Sequence, residues 1–215
     1  MKPLSTEKAN SLLNLINKSL DLRGKTKPLE EDEERVRRLI LEHFRKVGRA
    51  PTRDELGTGL GDIDQILETL DSRDIIYLKD GEVSGAYPFS NTPTDFQVTF
   101  SDGQTTFAMC AIDALGIPFM FGEDVKIDSA CAYCGEDIEI VVGNGEVMHS
   151  EPEDVVVFAG FECGKHAATT LCTTLVFLHG EHVKDFEEIQ HGEHEILTLG
   201  EGFYVGKGVF GNSLE

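Results

Sequence analysis

Apolar positions recur at helical spacing through the N-terminal third of the chain. Over residues 5–20, Leu12, Leu13, Leu15, Ile16 and Leu20 form the apolar face of a short helix. "RGKTKPLEEDEE" interrupts the pattern as a polar linker running into an acidic helix start, which suits the positive end of a helix dipole. The periodicity resumes in "ERVRRLILEHFRKVGR", with Val36, Leu39, Ile40, Phe44 and Val47 in phase and Gly48 as a stop. Thr52 and Glu55, three apart, give a capping-box pattern for a short helix. "DIDQILETLDSRD" predicts another, with Ile63, Ile66, Leu67 and Leu70 inward. "IIYLKDGEVSGAYPF" then alternates as two short strands around Asp80-Gly81, a hairpin signal. Three helices and a hairpin in this order describe a winged helix-turn-helix between about residues 30 and 90.

After the connector "SNTPTD" the pattern changes. "FQVTF" alternates as a strand, "SDGQ" turns, and an apolar helix is expected from about Thr105 until Gly116 and Pro118 end it. Strands are expected at "DVKIDS", "DIEIVV", "GEVMHS", "DVVVFA" and "HEILTL", and in the β-rich "ATTLCTTLVFLHG". "EHVKDFEEIQHG" predicts an amphipathic helix, and the Gly-rich "GEGFYVGKGVFG" lacks the features of a nucleotide loop and reads as C-terminal packing. The predicted fold class is α+β: an N-terminal winged helix-turn-helix-like domain over residues 1–90, then a mixed or antiparallel sheet domain with flanking helices over 91–215.

Composition narrows the function classes. Forty per cent hydrophobic residues and 13 Phe in 215 residues supply a real core. A formal charge of −20 argues against nucleic acid as a partner, since phosphate binding needs surplus Lys and Arg. The expected recognition helix agrees, carrying Asp62, Asp64, Glu68, Asp71 and Asp74 against Arg73 alone. No membrane span and no signal peptide are expected, which makes a cytoplasmic location the default. In that compartment five cysteines read as chemistry or metal binding before disulfides.

The densest candidate chemistry is "FAMCAIDALG", where Cys110 and Asp113 fall three apart, on one face if the segment is helical. Cys110 alone would pass as a small core residue. Asp113 has no basic residue nearby in the sequence, and burial would raise its pKa until the carboxyl can hold and deliver a proton near neutrality.

"FAMCAIDALGIPFMFG", together with Cys172 in "LCTTLVFLHG" and the order of domains, resembles organomercurial lyase (alkylmercury lyase) over most of the chain. The resemblance implies protonolysis of a carbon–mercury bond to a hydrocarbon and Hg(II). Cys110 and Cys172 would be the thiolates that hold mercury, and Asp113 the group that manages the proton. Cys131 matches a further, mainly structural, family cysteine. No organic cofactor is implied; the partners are an organomercurial substrate and small thiols, or a mercury-accepting protein, that take the product. Many relatives carry a second cysteine directly after the one matched by Cys172, where this chain has Thr173. The chemistry is consistent with the residues, because soft thiolates select soft metals.

Two further pairs, Cys131-x-x-Cys134 and Cys163-x-x-His166, have knuckle spacing and make a structural Cys₃His zinc site a second candidate. His179, His182, His191 and His194, set among acids, read as a solvated face. The alternative function is a non-catalytic thiol-based metal carrier or sensor on the same scaffold.

Overall fold

The computed structural model describes residues 1–57, 60–162, 166–211 and 213–214. Thr6 caps α1 (Glu7–Ser19) by accepting from the Ala9 amide, and Ala9, Leu12 and Ile16 form its buried stripe. Part of the expected linker is helical, as α2 (Leu22–Thr26). A capping box between Glu30 and Glu33 starts α3 (Glu31–Val47), which ends at Gly48 in the left-handed conformation. The Thr52–Glu55 box starts α4 (Arg53–Leu56), and Asp62 caps α5 (Ile63–Ser72). Strands β1 (Ile76–Lys79) and β2 (Glu82–Ala86) pair antiparallel about Asp80 and Gly81, whose φ of 53° and 80° suit a tight hairpin turn.

The remaining elements are β3 (Phe89–Ser90), β4 (Phe96–Phe100), β5 (Thr105–Ala108), α6 (Ala111–Phe121), β6 (Val125–Ala130), β7 (Asp137–Gly143), β8 (Glu146–Glu151), β9 (Val156–Gly160), β10 (Leu175–Leu178), α7 (Val183–Ile189), β11 (His194–Thr198) and α8 (Leu199–Phe210). Eight strands form one sheet in the order β1-β2-β3-β5-β4-β6-β7-β8, and three form a second in the order β10-β9-β11. Every strand pairing among the described residues is antiparallel, so of the two sheet types expected the antiparallel one is found. The larger sheet runs without a break from the hairpin at 76–86 into the strands beyond residue 91. Among the described residues no helix is long and apolar enough to cross a membrane.

Helix α6 is buried on nearly all sides. It meets α8 at backbone distance: a Cβ on Gly206 would stand 2.9 Å from the Gly116 amide nitrogen and 3.0 Å from the Ile112 carbonyl oxygen. The Gly-rich tail therefore serves packing, as expected, but does so as a helix whose glycines admit a neighbouring backbone. Helix α1 lies on α8 in turn, through Thr6 Oγ1 donating to Glu201 (2.6 Å) and Tyr204 donating to Asn10 (2.9 Å).

Three local expectations are corrected. The α6 helix starts at Ala111, because Thr105–Ala108 pairs instead with β4 and β3 as a strand. It also passes through Pro118 and ends at Gly122; the hydrogen bond lost at proline is offset by burial of the whole helix. Finally, residues 171–174 are a 3₁₀ turn, and only Leu175–Leu178 of that β-rich run is strand.

Candidate active site

Cys110 is the N-cap of α6 and Asp113 its third residue, so the two meet as cap and first turn rather than along one helix face. The Asp113 amide donates to the Cys110 sulfur at 3.4 Å, the place an N-cap hydroxyl usually takes. Leu171–Thr174, the 3₁₀ turn leading into β10, brings Cys172 across from 59 residues away, and its thiol donates to Asp113 Oδ2 at 3.5 Å. The two sulfurs and a carboxylate oxygen lie within 4.8 Å of one another. Cys110, Asp113 and Cys172 are 0%, 4% and 5% exposed.

Burial controls the protons here. It pushes the Asp113 carboxyl up to about 7, against hydrogen bonds from Cys110 and Cys172 that pull the other way. Burial raises the Cys110 thiol to about 11, although Cys172 donates toward it and the Asp113 amide favours its thiolate. Cys172 goes well above the ordinary thiol value, because its hydrogen bond to Cys110 and its own burial both hold its proton. The resting site near neutrality thus contains two thiols and a carboxyl group balanced between its acid and base forms. Cys110, at a helix N-terminus, is the easier of the two sulfurs to ionise.

This balance has a stability consequence. A carboxyl whose folded pKa is raised favours the protonated folded state: its contribution is full below the unfolded value near 4 and is lost as pH rises through about 7. Replacing Asp113 by Asn removes that loss. Thermal melts of Asp113→Asn and the parent chain should therefore diverge in favour of the variant between about pH 4 and pH 7 and run parallel above that; curves parallel throughout would mean that the carboxyl ionises normally.

A polar network holds the backbone at residues 166–168, just before the turn that carries Cys172. Buried Tyr87 donates to Asp74 Oδ1 at 2.7 Å and accepts from the Ala168 amide at 2.9 Å. Asp74 also receives the Ala167 amide (3.5 Å) and Lys25 (3.3 Å), and lies 3.2 Å from His166 Nδ1. Burial and the Asp74 carboxylate keep the Tyr87 phenol far above its usual range, so it remains a donor. Tyr87→Phe would leave the Ala168 amide and Asp74 short of partners, at a cost of about 1–3 kcal/mol. Denaturant midpoints should fall accordingly, and a midpoint equal to the parent's would show the network to be dispensable.

Of the residues expected to form a Cys₃His set, His166 lies apart from Cys131 and Cys134. His166 lies on Asp74, with Tyr77 packed against its ring. Cys163 lies outside the described residues. Cys131 and Cys134 instead meet His179 and His182, with four ligand atoms within 4.8 Å of one another. His179 is 7% exposed, so it is not part of a solvated face, and His182 is half-buried. Burial would raise the Cys131 thiol, but amides of Cys134, His179 and Tyr133 and the His182 ring bring it below its ordinary value. All four cysteines among the described residues are free thiols.

Reading the sequence missed Asp74, Tyr87, His179 and His182. The histidines left a signal, since "HGEH" has the same x-x spacing as "CGKH". Asp74 and Tyr87 left none, because their partners are far away in the chain.

Comparison with known proteins points to one family. The family model "MerB: Alkylmercury lyase" matches residues 89–211. The alkylmercury lyase of Staphylococcus epidermidis is 27% identical over 155 residues, covering 71% of this chain and 69% of that one. The Bacillus cereus alkylmercury lyase is 26% identical over 166 residues, 74% of each chain. Among solved structures, the mercury-bound form of MerB2 superimposes with a TM-score of 0.74 at 26% identity, over 92% of this chain and 100% of that one.

Proposed function

The chain belongs to the alkylmercury lyase family, enzymes that cleave carbon–mercury bonds, and on that premise we propose that Cys110, Cys172 and Asp113 carry out the cleavage. The observation that supports this reading is the convergence of two buried sulfurs and one proton-exchanging carboxyl within 4.8 Å.

The steps balance as follows. An organomercurial arrives as R–Hg–SR′, mercury bound to carbon and to a small thiolate. Cys110 forms a sulfur–mercury bond as the carrier thiolate leaves, and the Cys110 proton passes by way of Asp113 to that leaving group as R′SH. Cys172 then bonds to mercury and gives its proton to Asp113. Two thiolates on the metal raise its electron density and weaken the bond to carbon. Asp113 returns the proton to carbon as the Hg–C bond breaks, releasing RH and leaving Hg(II) between the two sulfurs with Asp113 ionised. A carboxyl with pKa about 7 suits both halves of this exchange. Two outside thiols, or a dithiol protein, then take Hg(II) and return both protons to Cys110 and Cys172.

We assign the helices and hairpin of the N-terminal region a packing role rather than DNA binding. Several of its acids are engaged within the fold: Arg53 pairs with Asp64 and Glu82, each at 2.8 Å, Asp71 accepts from the Leu78 amide, and Asp74 accepts from the Ala167 amide. Both alkyl and aryl substrates fit a mechanism that acts on the Hg–C bond alone. Headspace analysis with methylmercury and phenylmercury in excess small thiol should find methane and benzene. Mercury bound tightly with no hydrocarbon from either compound would instead favour a carrier or sensor.

A further inference from the structure

Independently of the reaction above, we infer that Cys131, Cys134, His179 and His182 form a structural zinc site that joins the two sheets. Cys131 follows β6, and the turn to β7 brings Cys134 back beside it: the Gly135 amide donates to the Cys131 carbonyl (2.8 Å), and Gly135 itself is left-handed at φ 78°. Cys-x-x-Cys-Gly thus folds as a knuckle, with glycine where the chain must reverse. The two histidines come from the other sheet. His179 follows β10 directly, and the 3₁₀ turn Gly180–His182 places His182 next to it. The two rings lie nearly parallel, 5.6 Å apart.

The distances fit the cation. With Zn–S near 2.3 Å and Zn–N near 2.0–2.1 Å, a tetrahedral zinc separates sulfur from nitrogen by about 3.6 Å. Cys131 Sγ and His182 Nδ1 are 3.6 Å apart. A thiol–imidazole hydrogen bond would account for that pair but not for four ligand atoms within 4.8 Å. The deciding observation is His179. It is 93% buried, its Nδ1 lies 3.6 Å from Glu136 Oε2, and its Nε2 has no hydrogen-bond partner among the described residues. A carboxylate on one ring nitrogen and a free lone pair on the other is how zinc-bound histidines are commonly oriented. The His179 amide also donates to the Cys131 sulfur at 3.4 Å, the kind of contact that supports a ligating thiolate. Two sulfurs and two imidazoles select zinc over the hard cations.

The site also bears on the reaction centre. β10 carries a histidine ligand at one end and follows the Cys172 turn at the other, and Ala132 donates to the Phe177 carbonyl (3.0 Å) between the sheets. A metal there would hold β10 against the larger sheet. Binding requires loss of the Cys131 and Cys134 protons to solvent, with Zn(II) as the only added species and no redox step.

The test is elemental analysis of the full chain carrying Cys110→Ser and Cys172→Ser, which removes the other thiols able to hold a metal. Close to one zinc per chain is expected in protein purified without added metal. Adding Cys134→Ser or His182→Ala should lower this at least about tenfold, and adding Cys163→Ser should leave it unchanged. As a readout that needs no ligand variant, cobalt(II) is also exchanged into the same Cys110→Ser/Cys172→Ser chain: intense visible bands with sulfur-to-cobalt charge transfer are expected for a tetrahedral thiolate site. Less than about half an equivalent of zinc together with a weak, six-coordinate cobalt spectrum would overturn the assignment. So would full zinc retention in both ligand variants, or zinc lost with Cys163→Ser alone.

Discussion

Cys110→Ser and Cys172→Ser should each reduce hydrocarbon release by roughly 10³-fold or more, the scale seen when one member of a catalytic unit is removed. The two losses should differ in kind. Without Cys110 the site lacks the sulfur at the α6 N-terminus, where the Asp113 amide supports a thiolate, so capture of the organomercurial fails first. Without Cys172 the substrate is still captured, but mercury has one thiolate fewer and Asp113 loses its proton supply at 3.5 Å. Cys172→Ser should therefore retain organomercurial on gel filtration while releasing almost no RH. A serine hydroxyl cannot stand in for either sulfur, because a hard oxygen is a poor ligand for a soft metal. Near-normal turnover in either variant would contradict the assigned roles.

Asp113→Asn should bind mercury through both sulfurs and release hydrocarbon about 10²–10⁴-fold more slowly, the usual contribution of a positioned acid. The amide nearly preserves the shape of a side chain that is 4% exposed, so the loss is chemical rather than structural. The pH dependence separates the two cases further. In the parent chain the carboxyl sits at about 7, so a rate limited by its acid form falls as pH rises past that point. The residual rate in Asp113→Asn should show no such fall. A variant that loses mercury binding along with activity would mean that Asp113 maintains the site's shape and not its protons.

The sequence carried the parts of this site that are local. Cys110 and Asp113 are three residues apart, and an acid without a basic neighbour in an apolar run marks a perturbed carboxyl. Their relation was misjudged as two residues on one helix face. Thr105, Thr106 and Phe107 fit a strand as well as a helix, and pairing with β4 selects the strand, leaving Cys110 as the cap. Cys172 is different. No spacing joins it to Asp113 across 59 residues, and only the family resemblance brought it in. The same limit explains the second cluster. Cys-x-x-Cys was visible, but which of the three x-x-His pairs, ending at His166, His182 or His194, lies beside it depends on β10 crossing to the β6–β7 turn, a tertiary event. Helix and hairpin boundaries in the N-terminal region were readable because caps and the Asp80-Gly81 turn are encoded within a few residues.

Single-turnover analysis of the parent chain with limiting methylmercury and no free thiol bears most directly on the convergence of Cys110, Cys172 and Asp113. Methane should appear in an amount matching the methylmercury added, with all of the mercury retained on the chain as a two-sulfur complex by X-ray absorption. Methane without retained mercury, or a mercury environment that stays two-sulfur when Cys110 and Cys172 are both serine, would contradict the assignment.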